Sequence, residues 1–210
     1  TIDKTWDPLK RYVEKELGVN QQEEQTFFDD FDAQALQEQM DLQMQVAEEA
    51  KKQKMKQIPQ VLWIFDDLVD DERVMHSNSN LIATLAIRSR HFGGNIWVST
   101  QKFRALANII RINLTSLFIW PALSNRLERK AIIEEISGHY SPDQIEELLQ
   151  HVSKRKHGFL FVNLKADPSE MFQDSLVQKL RVTKKHGNAL DDAAQQPGPA
   201  ARAESVRNDR

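Results

Sequence analysis

The feature that most constrains this chain is an unbroken apolar run, Val61-Leu62-Trp63-Ile64-Phe65, that ends directly on two aspartates, Asp66 and Asp67. A β-branched and aromatic stretch of that length, with no polar residue inside it, is the pattern of a strand buried on both faces of a parallel sheet. Further strand and helix patterns alternate after it. Leu81–Ser89 reads as a helix, Asn95–Ser99 as a strand after the Gly93-Gly94 turn, and Phe103–Ile110 as a helix. Ser116–Trp120 reads as a strand stopped by Pro121, and Arg126–Ile136 as an amphipathic helix. Pro142–Val152 is a helix with Ser141 as N-cap and Gln144 three positions on, and Gly158–Leu164 is a fourth strand. Alternation at this spacing predicts an α/β fold with a mainly parallel sheet and flanking helices.

Two segments flank that core. Residues 1–60 are helical and polar: Leu9, Tyr12, Val13 and Leu17 recur at helical spacing up to Gly18, and Asn20–Asp32 reads as an acidic, Gln-rich loop. A second helix is expected from Ala33 to Gln57, with a stripe of Leu36, Met40, Met44 and Ala47, a lysine-rich end and a stop at Pro59. Residues 61–186 form the expected core. Residues 187–210, rich in Ala, Gly, Pro, Asp and Gln, read as a disordered tail.

Composition narrows the chemistry. Cysteine is absent, which removes disulfides, thiolate metal sites and cysteine nucleophiles. The histidines show no zinc-ligand spacing. Of seven glycines among 210 residues only Gly93 and Gly94 are near neighbours, so neither GxGxxG nor GxxxxGK followed by Ser or Thr can be written anywhere. Apolar runs such as Val61–Phe65 and Leu117–Leu123 fall well short of the ~20 residues of a membrane span, which predicts no membrane association. The polar start at Thr1 carries no secretory signal and implies an intracellular protein; the lack of an initiator methionine favours a piece of a longer one.

The strand-end carboxylates are the strongest candidate site, because parallel sheets bind ligands off the carboxyl ends of their strands. One carboxylate there can hold a hydrated Mg²⁺, and the second can orient or deprotonate a water for attack on a phosphoryl group. An exposed acidic turn is an equal alternative on pattern alone, since Asp70, Asp71 and Glu72 follow. Ser99-Thr100-Gln101 closes the next strand; the Gln101 amide can both donate and accept, although capping of the next helix is the simpler role. From Arg73 through Leu127 there is no Asp or Glu, while Arg73, Arg88, Arg90, Lys102, Arg104, Arg111 and Arg126 remain, with His76 and His91. The net charge of −3 hides this local excess, which suits polyphosphate or nucleic-acid backbone. Arg90-His91, and Arg111 with Asn113, stand before the second and third strands; taken singly each arginine is a surface or salt-bridge residue, and an arginine so placed can also reach a neighbouring subunit's nucleotide. Trp63, Trp97 and Trp120 fall inside strands, where burial is expected.

The order VLWIFDDLVDD, RSRHFGGNIWVSTQKF, then IIRIN before LTSLFIW resembles the poxvirus-type genome-packaging ATPases of the FtsK/HerA branch of P-loop NTPases. SNRLERKAIIEEISG, KRKHGFLFVNL and IDKTWDPLKRYV are similar to further stretches of that family, so the resemblance covers roughly residues 1–180. It implies a RecA-like core, ATP and Mg²⁺ as cofactors, a homo-oligomeric ring, and partners in double-stranded DNA and viral capsid proteins, in host cytoplasm or virion. It also implies Asp66 as the metal-associated Walker B aspartate, Asp67 in the place of a catalytic glutamate, and Gln101 as the polar sensor. Arg90, His91, Arg111 and Asn113 match motif positions, with Arg111 the candidate trans-acting finger. The family's first strand and its phosphate-binding loop are missing from this sequence. A fragment, a degraded gene copy or a partner chain supplying the missing part would each account for that.

Overall fold

The computed structural model describes residues 4–67, 81–122, 125–182 and 190–192. Arg73, His76, the acidic cluster at 70–72 and most of the expected tail lie outside the described residues. The chain is mixed α/β and divides into two compact units, Thr1–Leu114 and Thr115–Arg210.

In the first unit, a 3-10 turn at Lys4–Trp6 leads into α1 (Asp7–Lys15), with Pro8 in the first helical turn. No residue of α1 is buried, and Leu9, Tyr12 and the following Leu17 stay exposed. Helix α2 (Ala33–Lys52) starts on Asp32, whose carboxylate accepts the Ala35 N–H at 2.9 Å. Its inward stripe is Leu36, Met40, Ala47 and Ala50. The helix stops short of the expected Gln57: its apolar stripe ends at Ala50, and Lys54 takes a left-handed φ of 53°, which turns the chain toward β1.

Strand β1 (Val61–Asp66) pairs in parallel with β2 (Gly94–Ser99), from Val61 opposite Gly94 to Asp66 opposite Ser99. Helix α3 (Leu81–Arg88) precedes β2 and buries Ile82, Ala83 and Leu85. The Gly93-Gly94 pair is dictated by space. Gly93 has φ +78° and a Cβ there would lie 2.7 Å from the Pro59 carbonyl oxygen, while one on Gly94 would lie 2.6 Å from the Trp63 ring. The helix expected over 103–110 is instead a 3-10 turn (Phe103–Ala105) and a short α4 (Asn108–Arg111). Leu106 and Ala107 break it with extended ψ values of 129° and 142°, yet Phe103, Leu106, Ala107 and Ile110 are all buried, so packing overrides the helical pattern.

Burial of β1 on both faces does not hold. Trp63 and Phe65 are buried, whereas Leu62 and Ile64 are 42% and 36% exposed and Trp97 on β2 is 59% exposed. The ladder puts Leu62, Ile64 and Trp97 on one face and Trp63 and Phe65 on the other, so the strand has one packed side.

The second unit is built on a five-stranded sheet in the order β3 (Ser116–Ile119), β4 (Leu160–Asn163), β5 (Phe172–Asp174), β6 (Gln178–Val182), β7 (Leu190–Asp192). Every ladder in it is antiparallel. The parallel expectation thus holds for β1 and β2 alone. Two helices, α5 (Arg126–Ile136) and α6 (Pro142–Ser153), connect β3 to β4, and two helices carry the chain out and back to leave the next strand reversed. Short turns then join β4 through β6, and only antiparallel neighbours can be joined that way. Strand β7 falls in the segment expected to be a tail; its backbone pairs with β6. Ser141 and Gln144 form the expected reciprocal capping box on α6. Ile119, Leu160, Val162, Phe172 and Leu180 from the sheet are buried, as are Ile132 and Ile136 of α5 and Ile145, Leu148, Leu149 and Val152 of α6. Arg129 clasps the two helices, donating to Glu146 from Nε at 3.0 Å and from Nη2 at 2.7 Å.

Candidate functional site

The carboxyl end of the β1–β2 pair gathers the polar residues picked out in the sequence. Asp66 is the last residue of β1 and lies opposite Ser99, the last of β2, so the two side chains leave the same face of the ladder. Asp66 is half-buried, and its Oδ2 accepts a hydrogen bond from the Trp6 indole Nε1 at 2.8 Å. Asp67 leaves the strand with a left-handed φ of 52°, a conformation aspartate tolerates better than most residues, while its N–H still donates to the Ser99 carbonyl at 3.2 Å. Next to it, Thr100 Oγ1 accepts the Lys102 N–H at 3.0 Å, and Gln101 is exposed. Asp66, Asp67 and Gln101 are therefore brought to one edge of one parallel pair.

The remaining candidates are placed differently. Arg90 and His91 are exposed in a 3-10 turn, Ser89–Phe92, that enters β2 at its amino end. The length of β2 from Gly94 to Ser99, about 17 Å of strand, lies between that turn and the carboxylates, so they do not share a site with Asp66 in one copy of the chain. Arg111 closes α4, half-buried, with its guanidinium 5.9 Å from the Phe103 ring centroid, within cation–π range. Asn113 Nδ2 donates to the Ile109 carbonyl at 2.8 Å and so finishes the same helix. The cations of the acid-free stretch are divided as well: exposed Lys102 and Arg104 follow the carboxyl end of β2, and exposed Arg88 and Arg90 precede its amino end.

The oxygen donors at this edge suit a small hard cation. Mg²⁺ keeps several waters and takes one or two carboxylates with substrate phosphates, and a strand-end carboxylate facing a serine hydroxyl is such a donor set. Among the described residues there is no cluster of three His, Asp or Glu able to enclose a metal by protein ligands alone. The phosphate side is a different matter, since the sequence offers no glycine-rich run of backbone N–H groups.

Trp6 is the residue that sequence reasoning missed. It stands 60 positions from Asp66, and nothing local marks it beyond being an aromatic just ahead of a helix. A second polar cluster missed in the sequence lies in the other unit. Asp174, 3% exposed, accepts from Ser175 Oγ at 2.8 Å and faces Arg155 Nη2 at 3.5 Å and His151 Nε2 at 3.7 Å.

No protein-family model matches the chain, and no curated protein matches it. Solved structures similar to it include the genome packaging NTPase B204 from Sulfolobus turreted icosahedral virus 2. In complex with AMP, it is 17% identical with a TM-score of 0.47, over 70% of this chain and 63% of that one. In complex with ATP-gammaS, it is 16% identical with a TM-score of 0.44, over 66% of this chain and 60% of that one. B204, the DNA-packaging ATPase from Sulfolobus turreted icosahedral virus, is 19% identical with a TM-score of 0.42, over 60% and 56%. The chain spans about three-fifths of the length of these proteins. Similarity of this extent assigns neither activity nor partner to it. Among the described residues no helix is long and apolar enough to cross a membrane.

Proposed function

We propose that this chain is part of an ATP-driven, DNA-translocating motor of the viral genome-packaging kind, contributing the metal and water-activating half of the nucleotide site. The observation that carries the reading is the convergence of Asp66, Asp67 and Gln101 at the carboxyl edge of the parallel β1–β2 pair. Asp66 is suited to a Mg²⁺ ion held jointly with ATP phosphates, its Oδ2 being already oriented by the Trp6 indole. Asp67 takes the part of the group that orients or deprotonates the attacking water, and Gln101 that of the sensor of the terminal phosphate. Arg111 is the candidate finger toward a neighbouring subunit, with Arg90, His91 and Asn113 as secondary candidates. The phosphate cradle is supplied from outside this sequence, and the working assembly is a homo-oligomeric ring on double-stranded DNA delivering into a capsid.

The metal assignment is tested by NMR, using Mn²⁺ as a paramagnetic stand-in for Mg²⁺. The Trp6 indole N–H touches Asp66 and serves as the reporter. Substoichiometric Mn²⁺ with ATP should broaden that resonance selectively, and Asp66→Asn should restore it. Uniform broadening, or broadening that survives Asp66→Asn, would remove Asp66 from the metal site.

A further inference from the structure

The antiparallel sheet of the second unit has one face packed and one face open, and the open face is aromatic. The ladder sets Phe118 opposite Phe161, and alternation places Trp120 and Phe159 on that side too, away from buried Ile119, Leu160 and Val162. Phe118 is 43% and Trp120 53% exposed, while Phe159 and Phe161 are half-buried beside them. The rings form a continuous row: Phe118 lies 5.0 Å from Phe161 and 5.7 Å from Phe159, and Trp120 lies 5.2 Å from Phe159, between centroids. Across the sheet the same face continues through Gln173 and Lys179, and Lys179 is paired with Glu170 at 3.1 Å. At the Phe159 end stands the turn Lys154-Arg155-Lys156-His157, with Lys154 and Lys156 exposed and Arg155 directed to Asp174. At the Asn163 end, Lys165 is exposed, with exposed Asp167 and Glu170 further along the same loop.

We infer that this face is a stacking platform for single-stranded nucleic acid. The charge at its ends and the chemistry of its centre select that occupant. Exposed Lys154 and Lys156 at the Phe159 end of the aromatic row, with Lys165 at the other, match a phosphate backbone that enters the row at its basic end. The rings offer flat π-faces, on which unpaired bases stack with little regard to sequence, while the bases of a duplex are already stacked on one another. At the border Gln173 supplies an amide donor and acceptor for base edges or sugars, and Asn163, whose Oδ1 accepts the Lys165 N–H at 3.0 Å, supplies an amide donor. This surface goes beyond the motor reading: it concerns a different strand state of nucleic acid, uses none of Asp66, Asp67 or Gln101, and stands or falls without them.

The test uses the full chain, fluorescein-labelled oligo(dT) of about 12 nucleotides and a blunt duplex of equal length, read by fluorescence anisotropy at two salt concentrations. The single strand should bind, more tightly than the duplex. Phe118→Leu and Trp120→Leu keep the surface apolar but remove the π-faces, and each should weaken binding on the order of 5- to 100-fold. Replacing Lys154 and Lys156 by Gln should lower the slope of log affinity against log salt by about 1.4. No binding of oligo(dT), or binding indifferent to both aromatic substitutions, would overturn the inference. So would a concentration-dependent dimer that oligo(dT) does not compete with, since the face would then belong to a second copy.

Discussion

Single residues at the β1–β2 pair are fixed by contacts that local sequence does not announce. Trp6 donates to Asp66 and anchors the turn ahead of α1, a helix that buries nothing of its own. The indole N–H thus orients the aspartate while giving that helix its attachment to the strand. The Gly93-Gly94 pair was legible as a turn, but the reason both must be glycine lies in Pro59 and Trp63. Gly94→Ala would push a methyl into the Trp63 ring and to 2.9 Å from Ser89 Cβ, in a region where Trp63, Phe92 and Ser89 are buried. We expect a loss of about 1–3 kcal/mol, measured as a lower urea midpoint with an unchanged m-value.

At the level of elements, the helix α5–α6 pair shows what capping and pairing contribute. The Ser141–Gln144 box was readable because its two halves sit three residues apart, as all capping boxes do. The Arg129–Glu146 clasp was not, since its members lie 17 residues apart on different helices. Hydrogen bonding from Arg129 holds the Glu146 carboxyl below its ordinary value of 4.5, against a smaller opposing effect of burial. A carboxyl with a lowered folded-state pKa stabilises the fold above its unfolded value, and that contribution is lost as pH falls through the lowered one. Glu146→Gln should therefore cost about 1 kcal/mol at neutral pH, and the difference from wild type should shrink to near zero in acid. Urea unfolding at the two pH values checks this; an equal deficit at both would mean that packing, not charge, is responsible. The aromatic row of β3 and β4 has a different standing from the capping box. Leu117-Phe118-Ile119-Trp120 and Phe159-Leu160-Phe161-Val162 alternate aliphatic with aromatic at a period of two, which sorts them onto two faces, but both sets are apolar and only the structure shows that the aliphatic face is the packed one.

For the molecule as a whole, the proposed half-site makes a simple prediction. With carboxylates but no cradle for the phosphates, this chain alone should hydrolyse ATP at close to the buffer rate. Phosphate release with and without Mg²⁺ measures it. Turnover well above background that vanishes with Asp67→Asn would mean that the chain holds the phosphates by groups other than a glycine-rich loop.

The sequence by itself determined the order of elements up to β4, though not the short strands β5 to β7, together with the approximate ends of most of those earlier elements and the arrival of Asp66, Asp67 and Gln101 at strand ends, because each depends on residue period and on neighbours within one or two turns. It also determined which sites cannot exist, through the missing cysteines and the spacing of the glycines. Strand direction, the bare face of β1, the exposure of Trp97 and Trp120, the separation of Arg90 and His91 from the carboxylates, and the Trp6–Asp66 bond were decided only by the tertiary structure. All of these depend on which distant segment lies across from a residue. A strand's apolar run has the same spelling whether one face is covered or two, and only its neighbours in space make the difference.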